Sequence, residues 1–313
     1  FAVPLFFLLI GVELLVNRRQ GALRYAFHDS VNSLSCGIGQ QVLGIFFKFV
    51  QIGAYAWVFE HLRVATISPT SPVAWLVLLL AVDLGYYFYH RASHRVNFLW
   101  ATHVVHHQSE EYNLTTALTQ HPLTTITSAA FDLPLAFLGV PPIAFLTAKS
   151  FMILYQFWIH TRAIPPLGPV EGLLNTPSLH RVHHAINPRY IDKNFAGTFT
   201  IWDRLFGTFE RETERPEYGV LKPLRSWNPV WAGIEPWISL GRTATSAKKW
   251  RHRAYIWLAS PEWQAGAKRK TDFKGLFEEA KSQRYRVKMK PRTAIYVSLQ
   301  FLVVLVGSAT FLF

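Results

Sequence analysis

Six apolar stretches punctuate the chain. The first runs from Phe1 to Val16, and a longer, less pure one from Val31 to Phe59 contains Lys48 and Gln51. Val73 to Tyr89 is cleaner, with Asp83 its only charge. Leu123 to Gly139 and Pro142 to Ile159 form a pair separated by the turn Gly139-Val140-Pro141-Pro142, and Ala294 to Phe313 is the last. A helix needs about 20 residues to cross bilayer hydrocarbon, so the pattern predicts an all-α, polytopic membrane bundle. The paired runs fall a little short and predict a helical hairpin that crosses only in part. Residues 1–72 are then N-terminal membrane helices, and 73–220 combine membrane helices with a polar, histidine-rich cap. Residues 221–292 form a basic cytoplasmic or interfacial segment, and 293–313 a last membrane helix. The chain opens on Phe rather than Met and stops inside or just after its last run, from which a longer parent chain is expected.

Composition agrees with a membrane chain. Of 313 residues, 50% are hydrophobic and 16% charged, where a soluble domain carries about a quarter charged. The apolar content excludes disorder, and the single cysteine, Cys36, excludes a disulfide scaffold. The net charge is nevertheless +13, and residues 211–292 hold 19 Lys and Arg against 8 Asp and Glu. A basic tract beside a span belongs on the cytoplasmic side. Arg18, Arg19 and Arg24 after the first run, and Arg91 and Arg95 after the third, agree. The tract reads as a surface facing anionic lipid headgroups. No groove-reading or single-strand motif accompanies it, so a nucleic-acid partner is not expected.

Histidine carries the chemistry. Ten of the 13 histidines fall between His90 and His184. His90 and His94 share a helix face at i, i+4, at the end of the third apolar run. His103, His106 and His107 repeat that facing with i, i+3 and i+4, and His180, His183 and His184 do so again. The last trio has a bounded helix: Thr176 as N-cap, Pro177 at the first position, and Asn187-Pro188 as its end. His121 and His160 sit at the two feet of the hairpin. Because the hairpin returns to the side it left, all ten can meet at one membrane surface. Ten neutral nitrogen donors suit two metal ions with open positions, and imidazole serves iron, copper, nickel or zinc. His28, His61 and His252 stand alone and read as structural.

With these motifs in view, H-x-x-x-H, H-x-x-H-H and H-x-x-H-H on membrane-edge helices resemble the fatty acid hydroxylase and sterol desaturase superfamily of non-haem di-iron membrane oxygenases. Trp100-Ala101-Thr102-His103, Glu110 to Leu114, Leu154 to Thr161, Leu174 to Ser178, Ile191 to Asn194 and Trp202 to Phe209 look like its alkylglycerol monooxygenase branch. The likeness is firm from about residue 75 to 220. It implies two iron ions held by the ten histidines, O2 as co-substrate, a lipid substrate drawn from the bilayer, and a tetrahydropterin or a separate electron-transfer protein as reductant. The chain differs from that branch at Arg95, where an acidic residue is usual, and at His121, where a histidine is not always present.

Metal-bound imidazoles usually pass their other N–H to a carboxylate or carbonyl. Asp83, seven residues before His90, is the first candidate partner, with Asp203 and Asp192 behind it. Glu110 and Glu111 read as solvated. Neither a Gly-rich flavin or dinucleotide fingerprint nor a cysteine set for an iron–sulfur cluster is evident, so electrons are expected from outside the chain. The expected reaction is hydroxylation of a lipid chain, with ether cleavage where the hydroxylated carbon adjoins an ether oxygen. A lipid or sterol desaturase is the alternative at the same site. A histidine-rich metal transporter is the remote one, since its histidines should line the spans.

Overall fold

The computed structural model describes residues 2–263 and 271–312. Lys268, Arg269 and Lys270 of the basic tract, with Phe1 and Phe313 at the ends of the outermost runs, lie outside the described residues. Among the described residues every regular element is helical, and extended pairing is confined to two isolated bridges. Helix α1 spans Ala2–Arg19, α2 Phe27–Leu62 and α3 Pro72–Arg95, with α4 following at once over Asn97–His107. The hairpin is α5 (Thr124–Leu138) and α6 (Pro142–Trp158), and the cap adds α7 (Pro177–His184) and α8 (Ile201–Leu205). The basic tract folds into α9 (Pro229–Ser246), α10 (Trp250–Tyr255) and α11 (Phe273–Ser282), and α12 takes Pro291–Leu312.

Helices α2, α3 and α12 are long and apolar enough to cross a membrane. Their outward faces are apolar: Phe49 on α2 and Val303 on α12 are 71% and 68% exposed. Large apolar faces of this kind mark a surface that water does not solvate. Helix α1 shares the apolar outward face, with Leu8 and Leu15 63% and 61% exposed. It also turns Glu13 and Asn17 into the interior. The Glu13 carboxylate accepts the Leu114 amide at 2.9 Å and the hydroxyls of Tyr25 and Thr161, which ties α1 to the cap.

Helix α2 begins at Phe27 rather than at Val31, and this added turn brings in the buried Asp29. Its Asp29 carboxylate accepts the Ser109 hydroxyl and the Glu110 amide, each at 2.8 Å. The hairpin helices have 15 and 17 residues, about 22–26 Å at about 1.5 Å per residue and short of the roughly 30 Å of hydrocarbon. Gly139 closes the hairpin with φ +99°. A Cβ there would lie 2.0 Å from the Ala65 carbonyl oxygen, so only glycine lets the loop after α2 clasp the tip. Asp132 of α5 pairs with Lys149 of α6, and Gln51 of α2 donates to the same carboxylate at 2.7 Å. Pairing offsets the cost of burying either charge alone. Tyr55 stacks on Phe145 with centroids 4.3 Å apart, and Leu78, Val82 and Met152 complete the packing of α2, α3 and α6.

The cap rests on one end of these helices. Helix α7 starts at Pro177 as the sequence predicts, but the Thr176 side chain does not cap it. Its hydroxyl, with that of Ser178, donates to the buried Glu171 carboxylate instead. The helix ends at His184, short of Asn187-Pro188, because the chain turns extended there: Ile186 donates its N–H to the Glu217 carbonyl at 2.8 Å and Ala185 bridges to Tyr218.

Candidate metal centre

Four pieces of chain converge to build the site. The C-terminal turns of α3 bring His90 and His94, α4 brings His103, His106 and His107, and α7 brings His180, His183 and His184. His160 arrives just past the end of α6. These nine imidazoles sort into two groups able to hold a metal ion. One comprises His90, His94, His103, His107 and His183, and the other His106, His160, His180 and His184. Within each group the ligand atoms lie within 4.8 Å of one another. Both H-x-x-H-H segments are split between the groups. A helix turns about 100° per residue, so the i, i+4 pairs His103/His107 and His180/His184 stay together, while His106 and His183 face the other group.

Backbone carbonyls set the protons on four rings. The Nδ1 atoms of His90, His106, His160 and His183 lie 2.8, 3.0, 2.7 and 3.0 Å from the carbonyls of Phe195, Thr119, Gln156 and Lys193. A carbonyl only accepts, so each of these nitrogens carries the proton and Nε2 presents a lone pair. His106 Nε2 and His160 Nε2 then face each other, lone pair to lone pair, at 3.2 Å. That contact is repulsive without a cation between them. The Nε2 atoms of His94, His183 and His184 are buried with no hydrogen-bond partner. Two nitrogens that share a metal at about 2.1 Å sit about 3 Å apart at a right angle, and the spacings of 2.9–3.2 Å around His103, His160 and His180 match. The donor set thus fits metal ions.

Burial keeps these rings in the form a metal requires. It drives His103, His107, His160, His180, His183 and His184 well below the ordinary imidazole range and His106 down to about 4. Neutral imidazole is the ligating species.

The carboxylates act one step further out than the sequence suggested. Asp83 touches no histidine. It accepts the amides of Thr198 and Phe199 at 2.7 and 3.0 Å, while Asp203 accepts those of Phe195 and Ala196 at 2.8 and 2.9 Å and the Thr208 hydroxyl at 2.7 Å. Together they shape the loop whose Phe195 and Lys193 carbonyls hold His90 and His183. The carboxylate nearest a ring is Asp192, with an oxygen 3.7 Å from His94 Nδ1, and it pairs with Arg95 at 3.1 Å. Glu110 and Glu111 are not simply solvated either: Glu110 accepts the Tyr285 amide and Glu111 pairs with Arg162.

His121 joins neither group. Its Nδ1 accepts the Leu123 amide at 3.0 Å, and a Cβ on Gly233 would lie 3.4 Å from its Nε2. The ring therefore packs the hairpin foot against α9, away from the other nine. Sequence reasoning named Asp192 but missed the backbone conformation that places it, along with several other contributors. Asp192 and Asn194 have φ of +58° and +53°, a conformation Asp and Asn tolerate, and the Asp192-Lys193-Asn194 composition was the available signal. Gly197 lets the loop press on α3, since a Cβ there would lie 2.8 Å from Asp83 Oδ1. Tyr112, at φ +47°, lays its ring 5.0 Å from His184 and donates its hydroxyl to the Ile159 carbonyl. Nothing in its sequence neighbourhood announced that conformation.

An all-helical fold with paired histidine groups at the ends of apolar helices defines a histidine-cluster membrane domain. Residues 75–208 match the family model for fatty acid hydroxylase, and the chain carries a domain of that family. The chain is similar to alkylglycerol monooxygenase of Xenopus tropicalis, 38% identical over 86% of this chain and 60% of the relative. It is 39% identical to the Homo sapiens protein of that name over the same shares, and 41% identical to that of Danio rerio over 74% of this chain and 52% of the relative. The chain thus spans about 60% of the length of the first two relatives. No solved structure matches.

Proposed function

We propose that this chain is an integral membrane, O2-dependent non-haem di-iron oxygenase that hydroxylates an alkyl chain of a bilayer lipid. On an ether lipid, hydroxylation of the carbon beside the ether oxygen gives a hemiacetal that breaks to an aldehyde and an alcohol. The observation that carries this reading is the pair of inward lone pairs on His106 and His160 within nine neutral imidazoles, eight of them buried. His90, His94, His103, His107 and His183 would hold one iron, and His106, His160, His180 and His184 the other. Zinc has no redox chemistry; bound iron supplies dioxygen activation, one oxygen atom going to the C–H carbon and the other to water with two electrons and two protons.

The protein's own residues supply position and dryness. The carbonyls of Phe195, Thr119, Gln156 and Lys193 fix the ring tautomers; Asp203 holds Phe195 through its amide, and Asp83 anchors the same loop at Thr198 and Phe199. The histidines lie at one end of the candidate spans, where a lipid chain reaches the site sideways from the bilayer. The basic tract and Arg91 and Arg95 support the cytoplasmic side for that end. Electrons come from a separate donor. Purified full chain should bind two iron ions and consume O2 only with both lipid and reductant present. An iron-free protein that consumes no O2 yet passes metal ions across vesicles would replace the reading with a transporter.

A further inference from the structure

The basic tract holds a surface that the oxygenase site does not use. Trp250, Tyr255 and Leu258, on and just after α10, are 78%, 51% and 69% exposed. Lys249, Arg251 and Arg253 are interleaved with them and are also exposed. The core of this region is elsewhere: Leu240, Ala244 and Ile256 bury against Ala101 of α4, so Trp250 and Leu258 are spare to the packing, and Tyr255 meets it only edge-on at Trp263, with centroids 5.1 Å apart. Three exposed large apolar side chains among three cations are costly to leave in water.

The height of this surface is fixed. Asn97 and Phe98, the first residues of α4, donate their amides to the carbonyls of Ala259 and Trp257 at 2.8 and 2.9 Å. The Asn97 side chain donates to the Ile256 carbonyl at 2.9 Å. These bonds begin two residues after Arg95, where the candidate span α3 ends. The α10 surface is therefore clamped to the point at which α3 leaves the membrane. Aromatic and leucine side chains with interleaved cations, held at that level, match the layer where acyl chains meet anionic headgroups.

We propose that the α10 surface is a docking face for the anionic leaflet of the membrane, with Trp250, Tyr255 and Leu258 entering the headgroup–acyl boundary and Lys249, Arg251 and Arg253 binding lipid phosphates. This rests on the membrane reading above. A purely acidic protein partner would use the cations but leave the apolar trio without a role. Because α10 packs on α9, α9 packs on α4, and the segment after α10 is hydrogen-bonded to the start of α4, the docking also braces the helix that carries His103, His106 and His107.

The test is a spin label on Leu258→Cys in the full chain, reconstituted into vesicles of phosphatidylcholine with or without phosphatidylserine; the native Cys36 is buried. Accessibility to O2 against a water-soluble nickel chelate reads depth. The label should be shielded from the chelate at least threefold more with phosphatidylserine than without, and Lys249→Gln/Arg251→Gln/Arg253→Gln should abolish that difference. A second label at Val303→Cys on α12 reports the span. With Val303 in lipid and Leu258 fully aqueous in both vesicles, the docking face is wrong and the surface is left to a protein partner. Equal depth in both vesicles overturns the anionic-lipid assignment. An aqueous Val303 label would instead overturn the membrane reading beneath it.

Discussion

Asp203 and His90 never touch, yet one residue joins them: the Asp203 carboxylate accepts the Phe195 amide at 2.8 Å, and His90 Nδ1 donates to the Phe195 carbonyl at 2.8 Å. The carboxylate thus orients the ring through the backbone. Asp203→Ala should loosen this loop and weaken iron binding by about 10–100-fold, the usual effect of removing a partner behind a ligand. Asp203→Asn, which keeps an acceptor oxygen, should lose less. Iron titration of the purified variants checks both, and unchanged affinity in Asp203→Ala would remove the positioning role.

The placing of His121 apart from the nine makes a sharp contrast available. His121→Ala should keep two iron ions per chain, whereas His160→Ala, which removes one of four donors in its group, should keep one. Metal analysis by plasma mass spectrometry reads this directly. Loss of iron in His121→Ala would return that residue to the ligand set.

Gly197 is required by space rather than by φ. Its added Cβ would lie 2.8 Å from Asp83 Oδ1 and 2.9 Å from Tyr86 Cδ1, so Gly197→Ala forces the loop off α3. A loss of about 1–3 kcal/mol is expected, as for other overpacked sites. The thermal midpoint in detergent should fall by several degrees, with iron content falling alongside. An unshifted midpoint contradicts the tight approach.

Burial raises the Glu110 carboxyl from 4.5 to about 7, more than the Tyr285 amide lowers it. The folded state therefore holds this proton after the unfolded chain has released it. The contribution of Glu110 to stability falls as pH rises from about 4.5 to about 7 and is level outside that window. Glu110→Gln lacks this slope, so its midpoint should gain on the parent chain as pH rises from 5 to 7.5. A constant difference across that range would show that the carboxyl is not perturbed.

Much of this was legible in the residues. The periodicity of the three histidine segments placed eight rings at helix ends, and the apolar runs marked α2, α3 and α12. The division of His106 from His107 and of His183 from His184 follows from the turn of a helix, but which partner each meets depends on how α3, α4 and α7 cross. The carbonyl partners were invisible because a backbone acceptor carries no side-chain signature. Asp83 pointed the right way along α3, yet its bonds go to amides 115 and 116 residues on, a pairing set by tertiary packing. The apolar run of α1 gave no sign of what Glu13 does, because one carboxylate barely alters its hydropathy, yet Glu13 ties the helix to the cap.

The central claim, oxygen insertion into a lipid chain, is tested most directly by product mass under ¹⁸O2. Membranes containing the chain, a reductant and a 1-O-alkyl lipid should release an aldehyde, trapped by reduction to the alcohol, that carries one ¹⁸O atom. His160→Ala membranes should release none. A product two mass units lighter than the substrate with no ¹⁸O would mean desaturation, and a product formed equally without O2 would contradict the oxygenase altogether.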